Sequence, residues 1–356
     1  MKSLKQFCVL AALALTACGG GGYGGGNMPV ATTSPPPVVA TTFKSTLLDA
    51  DISGTGAAQT DKNLVNAWGL AFNPTGFVWV ANNGTSTSTL YDGNGLVQSL
   101  VVSTPDSPTG IVFNSSSVNF HGSPFIFSSE SGIIAAWSPA VDRNNAIKMV
   151  DNSAAGAVYK GLALASYNNL SYVYATDFHN NRVDVYDASF VKATLPGGFI
   201  DPTLPAGYGP FGIQAIGDRI YVTFAKHDVS GNDEAHGAGF GIVDVFDTGG
   251  NLIKQLVVAG ALNAPWGMAL APSNFGTLSG MLLVANFGDG KINAYDPTSG
   301  AFAGSLMQAN GAPVMIDGLW GIAFGNGVNS QPTNTLFFTA GPSDEAHGSY
   351  GRLDMN

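Results

Sequence analysis

Apolar residues between Asn63 and Gly95 fall in short runs, Trp68–Phe72, Phe77–Asn82 and Ser88–Asp92, each stopped by turn chemistry. Asn73-Pro-Thr-Gly76 divides the first two runs and Asp92-Gly-Asn-Gly95 closes the third. Proline sets φ for a turn, and glycine takes up positive φ at no steric cost. A fourth run, Leu96–Val102, follows at once. Four short antiparallel strands in about 40 residues make one propeller blade.

The pattern recurs. Trp68-Gly-Leu-Ala71 returns as Thr109-Gly-Ile-Val112, Lys160-Gly-Leu-Ala163, Phe211-Gly-Ile-Gln214, Trp266-Gly-Met-Ala269 and Trp320-Gly-Ile-Ala323. Second strands are expected at Phe125–Ser128, Tyr172–Thr176, Ile220–Phe224, Leu282–Asn286 and Leu336–Thr339. Third strands mostly end in an aromatic followed by Asp and a turn, as at Tyr186-Asp187, Phe246-Asp247 and Tyr295-Asp296. The shared glycine belongs at the start of the innermost strand, where strands crowd near the axis and backbones must approach closely. These elements predict an all-β, six-bladed propeller.

Phe43–Ala50 resembles the fourth strands, such as Leu96–Val102 and Asn251–Val258, yet it precedes the first blade. The sixth blade runs out after its third strand, Ser349–Leu353. The economical solution has the N-terminal strand complete the last blade, which removes an open sheet edge and closes the ring.

Ahead of this domain, expected at 43–356, lie two different segments. Residues 1–18 carry two lysines, an apolar run from Phe7 to Leu15 and small residues before Cys18. This is a signal peptide, too short to span a bilayer. Leu15-Thr16-Ala17-Cys18 resembles the bacterial lipobox. The resemblance implies cleavage before Cys18 and a lipid on that residue, where the plainer reading is an ordinary signal peptide with a coincidental cysteine. Gly19 in the next position resembles lipoproteins sent to the outer membrane of Gram-negative bacteria. Residues 19–42 are Gly-rich and then Pro-rich, a composition that builds no core and reads as a tether. Loss of the leader removes Cys8, so no disulfide can form within the mature chain.

Across nearly its whole mature length the chain resembles six-bladed propellers of the NHL-repeat and gluconolactonase-like type. In particular it looks like a family of exported bacterial propellers of uncharacterised function, marked by the Trp-Gly repeats and an Asp-Glu-Ala-His-Gly loop. A resemblance of this kind is specific for fold and weak for function, because propellers host hydrolases, oxidoreductases and binding modules alike.

Candidate chemistry gathers on the face bearing the loops between second and third strands. Two of these loops are enlarged, and Asp-Glu-Ala-His-Gly stands in both, at 233–237 in blade four and 344–348 in blade six. His179, His227, His236 and His347 fall on this face, and His121 lies on a connector in blade two. In an extended segment Glu234 and His236 share one side, as do Glu345 and His347. Such pairs can ligate a divalent metal or hold a base near a substrate; equally, the carboxylate can take a hydrogen bond from the imidazole and brace a long loop. The gluconolactonase-like resemblance implies, by blade position, axial calcium ligands at Glu130, Asp177 and Asn286. Trp68, Trp266 and Trp320, ahead of inner-strand glycines, are expected at the channel mouth, either stacking on ligands or packing between blades. Trp79 and Trp137 fall inside strands and read as core.

Charge narrows the choice of partner. Fourteen Lys and Arg stand against 24 Asp and Glu, for a net charge of −10, so phosphate backbones are repelled and nucleic acid is excluded as a partner. Nucleophile elbows, phosphate loops and Cys-x-x-Cys pairs are absent from the sequence. Two functions from different classes remain. One is a monomeric, lipid-anchored binding module that offers its loop face to an envelope protein or glycan. The other is a metal-assisted hydrolase of lactones or esters, with calcium as a candidate metal.

Overall fold

The structure, a computed structural model, describes residues 40–356. The leader, Cys18 and the tether as far as residue 39 lie outside the described residues. Six antiparallel sheets follow one another along the chain. Blade one comprises Ala67–Phe72, Val78–Asn82, Thr87–Tyr91 and Val97–Ser103, in that spatial order from the inside outward. The inner strands of blades two to six are Pro108–Phe113, Tyr159–Tyr167, Tyr208–Ile216, Pro265–Leu270 and Leu319–Phe324. Each inner strand neighbours the next and the last neighbours the first, so the ring is closed. Helix is confined, among the described residues, to single 3-10 turns.

Closure uses the N-terminal strand as expected. Phe43–Ala50 pairs antiparallel with Ser349–Met355, with Phe43 opposite Met355 and Ala50 opposite Ser349. A two-residue strand, Gln59–Thr60, adds in parallel beyond it, so the last blade has five strands and Phe43–Ala50 is not its outermost. Phe43 also packs on Phe275 of blade five, ring centroids 4.9 Å apart.

Every inner strand breaks register at its shared glycine, between Ala67 and Leu70 in blade one and between Leu319 and Ile322 in blade six. A Cβ on Gly69 would lie 2.6 Å from the Thr109 carbonyl oxygen, and one on Gly321 would lie 2.7 Å from that of Trp68. Each glycine therefore abuts the backbone of the next blade, which is the close approach the sequence implied. Hydroxyls on the second strands exploit the bulge. Thr176 Oγ1 accepts from Gly161 N at 2.7 Å and donates to the Phe211 carbonyl of the next blade at 2.7 Å. Thr339 does the same between Gly321 N and the Trp68 carbonyl, across the seam where the ring closes.

The remaining core lies between blades. Trp79 and Trp137 meet there as predicted, with Phe125 stacked on Trp79 at 4.1 Å.

Candidate functional site

The residue just before each shared glycine faces the axis at the loop-bearing end. Around the ring these are Trp68, Thr109, Lys160, Phe211, Trp266 and Trp320. Trp320 is sandwiched between Trp68 (centroids 3.5 Å) and Phe287 (3.9 Å), and Trp266 stands edge-on to both tryptophans at 5.7–5.8 Å. Trp68 and Trp320 are fully buried and Trp266 nearly so. These aromatics pack on one another rather than standing open to a ligand. Three large rings converging on one axis fill it, so they plug the channel and leave no free face for stacking. Beyond the plug the channel is a well of about 420 Å³, running to the opposite face among apolar side chains and one polar one, Gln214.

Lys160 lies on top of this plug. Its Nζ sits 5.1 Å from the Trp68 ring centroid, a cation–π distance. The ammonium is wholly buried and bonds Glu130 Oε1 of blade two at 2.6 Å and Asp233 Oδ1 of blade four at 2.7 Å. Burial works against its charge, but Glu130, Glu234 and Asp233 outweigh that and hold its pKa above the ordinary lysine value. Trp266 Nε1 donates to the Lys160 carbonyl at 3.2 Å, tying the lysine backbone to the plug.

Both Asp-Glu-Ala-His-Gly loops reach this centre, in different conformations. The first copy is open enough for His236 Nε2 to approach Glu234 Oε1 at 3.4 Å. That contact raises the His236 pKa. Glu234 is almost wholly buried, its Oε2 has no protein partner, and burial pushes its own pKa up. In the second copy Ser343, Asp344 and Glu345 all take positive φ, 60°, 51° and 63°. This tight turn overturns the expectation of an extended segment with Glu345 and His347 on one side. Glu345 turns inward, and its Oε2 accepts from Asn66 Nδ2 at 2.5 Å. Asn66 Oδ1 in turn accepts from Trp320 Nε1 at 3.2 Å. Burial, reinforced by the charge of Glu234, pushes Glu345 up to about 7. His347 turns away and bonds Asp51, Nδ1 to Oδ2 at 2.9 Å. The two glutamates thus approach one another over the axis, and the two histidines do not.

Of the residues marked for calcium, Glu130 and Asp177 have their carboxylates engaged by cations and amides. Glu130 is held by Lys160 and by Asn83 Nδ2 at 2.9 Å. Asp177 is buried against Arg182 at 3.0 Å and Asn180 Nδ2 at 2.8 Å. Asn286 Nδ2 donates to the Ala261 carbonyl and to Asp289. Asn286 Oδ1 is buried without a partner, and among the described residues no group of three or more His, Cys, Asp and Glu side chains is arranged to hold a metal ion. His179 is exposed, while His227 packs tilted against Phe178 at 4.1 Å and burial lowers its pKa.

Over 318 residues the chain is 34% identical to the uncharacterized protein R648 of Acanthamoeba polyphaga mimivirus, covering 83% of this chain and 76% of that protein. The chain belongs to that protein's family. A second member, the uncharacterized protein L690 of the same virus, is 31% identical over 320 residues, 83% of this chain and 82% of its own length. Both relatives are viral, and the exported bacterial family expected from the repeats is not confirmed by them. No protein-family model matches the chain. Among solved structures, a protein of unknown function from Bacteroides thetaiotaomicron superposes with a TM-score of 0.55 at 10% identity, covering 88% of this chain and 76% of that one. Streptogramin B lyase gives 0.52 at 14% identity, covering 89% and 98%. At such identities the likeness establishes the propeller fold and nothing finer.

Lys160 and Asn66 escaped the sequence reading. A signal for the lysine was there. At the position before the shared glycine, five blades carry aromatics or Thr and one carries a charge. An ionisable residue in a slot otherwise used to fill the axis needs charged partners nearby.

Proposed function

We propose that this propeller is a binding module of the cell envelope, held at the membrane by a lipid on Cys18, that presents its loop-bearing face to a basic protein or a cationic glycan. The observation that carries the reading is the gathering of Glu130, Asp233, Glu234 and Glu345, from blades two, four and six, around the single cation Lys160. Carboxylates outnumber the cation, and Asp233 keeps more than half of its side chain in solvent, so the face attracts positive charge. Export and anchoring rest on the leader, the lipobox-like Leu15–Cys18 and the tether composition. Hydrolysis assisted by a metal would draw on Glu130, Asp177 and Asn286; Lys160 and Arg182 already hold the first two, which leaves only Asn286 Oδ1 without a partner.

The test has two arms, both on the full-length protein. Wild type is expected to fractionate with membranes and Cys18→Ser to leave them or stall in processing; identical behaviour removes the anchor. Capture by an immobilised lysine-rich peptide should weaken about tenfold in Asp233→Asn/Glu345→Gln. The pair Asp187→Asn/Asp296→Asn removes the same formal charge at turns on the opposite face and should have little effect. Equal losses in the two double variants would reduce the attraction to net charge alone.

A further inference from the structure

A second concave site lies away from the axis, where the blade-six pentapeptide loop meets the end of the N-terminal strand and the connector ahead of the last inner strand. The cavity holds about 350 Å³. Its walls are largely apolar, with Leu47, Ile316, Phe338 and Pro342 among them. Ile52 and Met315 stand in the lining at 42% and 61% exposure, large apolar side chains left in water. Solvated apolar surface of this kind, gathered at one cavity, marks a place where something binds.

The polar groups in the lining include two carboxylates, Asp51 and Asp317, and the imidazole of His347, beside the hydroxyls of Ser45, Thr55, Ser343 and Ser349. His347 Nδ1 is 2.9 Å from Asp51 Oδ2, and the other oxygen of Asp51 takes the Gly348 N–H at 3.0 Å. Asp51 is buried, its side chain 7% exposed, so the imidazole is held in one orientation. A carboxylate on Nδ1 takes the hydrogen there, which leaves Nε2 as the ring nitrogen not engaged by Asp51. Asp317 stands exposed at the same cavity, its Oδ2 receiving the Ser343 N–H at 2.9 Å. No lysine or arginine lines the cavity. The arrangement arises from the positive-φ turn at Ser343–Glu345, which sends Glu345 to the axis and His347 outward. The first copy of the pentapeptide keeps His236 on its own Glu234 and forms no such site.

We propose that this cavity binds a small apolar molecule carrying one protonated amine. Its apolar body rests on Leu47, Phe338, Ile52 and Met315, and its ammonium is received by the Asp317 carboxylate. Charge complementarity selects the amine over a neutral or acidic analogue, because the exposed Asp317 carboxylate stands in a lining that holds no lysine or arginine. The site lies on the loop-bearing face but off the axis, and its test uses no envelope partner.

The probes are phenethylamine and its neutral analogue 2-phenylethanol, titrated calorimetrically into the full-length protein. The amine is expected to bind at least about tenfold more tightly than the alcohol. Asp317→Asn should bring the amine down to the affinity of the alcohol while leaving the alcohol unchanged. Met315→Lys should abolish amine binding by repulsion and by blocking apolar contact. Both positions are exposed, so the variants should keep the parent circular dichroism. Equal affinity for amine and alcohol, amine binding unaltered in both variants, or no amine binding at all would overturn the proposal.

Discussion

One position per blade decides how the axis is filled at the loop-bearing end. Where it is Trp or Phe the channel is plugged, and where it is Lys160 a charge must be accommodated at the same depth. A wholly buried ammonium is tolerable only because Glu130 and Asp233 bond it and Glu234 lies near. Lys160→Met keeps the length of the side chain and its packing on Trp68 but leaves these carboxylates crowded without a cation. We expect a loss of about 3–5 kcal/mol in denaturant unfolding, the range for breaking a buried pair. Adding Glu130→Gln in the same chain should recover part of it, because one uncompensated carboxylate is then gone. A variant as stable as wild type would show that the lysine contributes nothing net.

At the scale of elements, the inner strand is the repeated unit that makes a ring out of sheets. Its glycine lets the neighbouring backbone in, and its bulge frees an N–H for a second-strand hydroxyl that also reaches the next blade. Blades one and five carry Ala81 and Ala285 where this hydroxyl would stand, so the links are local reinforcements and closure needs another device. That device is Phe43–Ala50, which covers the open edge of Ser349–Met355 and packs Phe43 against blade five. A chain starting at Asp51 should melt far below the parent, with that edge exposed and prone to pair with other copies. Unchanged thermal unfolding of the truncated protein would show that the strand is dispensable.

For the whole molecule, buried acids give stability a pH dependence. Burial raises Asp49 to about 7 and Asp244 to about 8, with Asp61 and Asp201 adding to the respective shifts, and Glu345 rises to about 7. A carboxyl whose folded pKa exceeds its unfolded one binds its proton more tightly in the native state. Its stabilising contribution is complete below the unfolded value, near 3.8 for Asp and 4.5 for Glu, and is lost as pH rises through the folded value. The melting temperature should therefore fall between about pH 4 and 8. Asp244→Asn, which stays neutral throughout, should flatten that fall, since Asp244 has neither carboxylate oxygen bonded. A parent protein whose stability rises over the same interval would contradict these shifts.

The sequence by itself determined what repetition encodes. Six copies of a turn-bounded strand pattern, each with a glycine at the same place, specify six blades, because strand period and turn chemistry are local properties. The closing strand was legible too, from a fourth-strand pattern that preceded its blade, and so was the sharing of one face by both pentapeptide loops. Their geometry was not. Asp-Glu-Ala-His-Gly is the same five residues twice, yet one copy pairs its own Glu and His, and the other sends Glu345 to Asn66 and His347 to Asp51. Asp51 is 296 residues away from His347 along the chain. Which side chains meet depends on loop length, the turn at Ser343–Glu345 and the ring that brings distant blades together, and none of these is written in the pentapeptide. The same holds for Lys160, whose charge is plain in the sequence but whose partners come from blades two and four. Only closure of the ring put them within bonding distance.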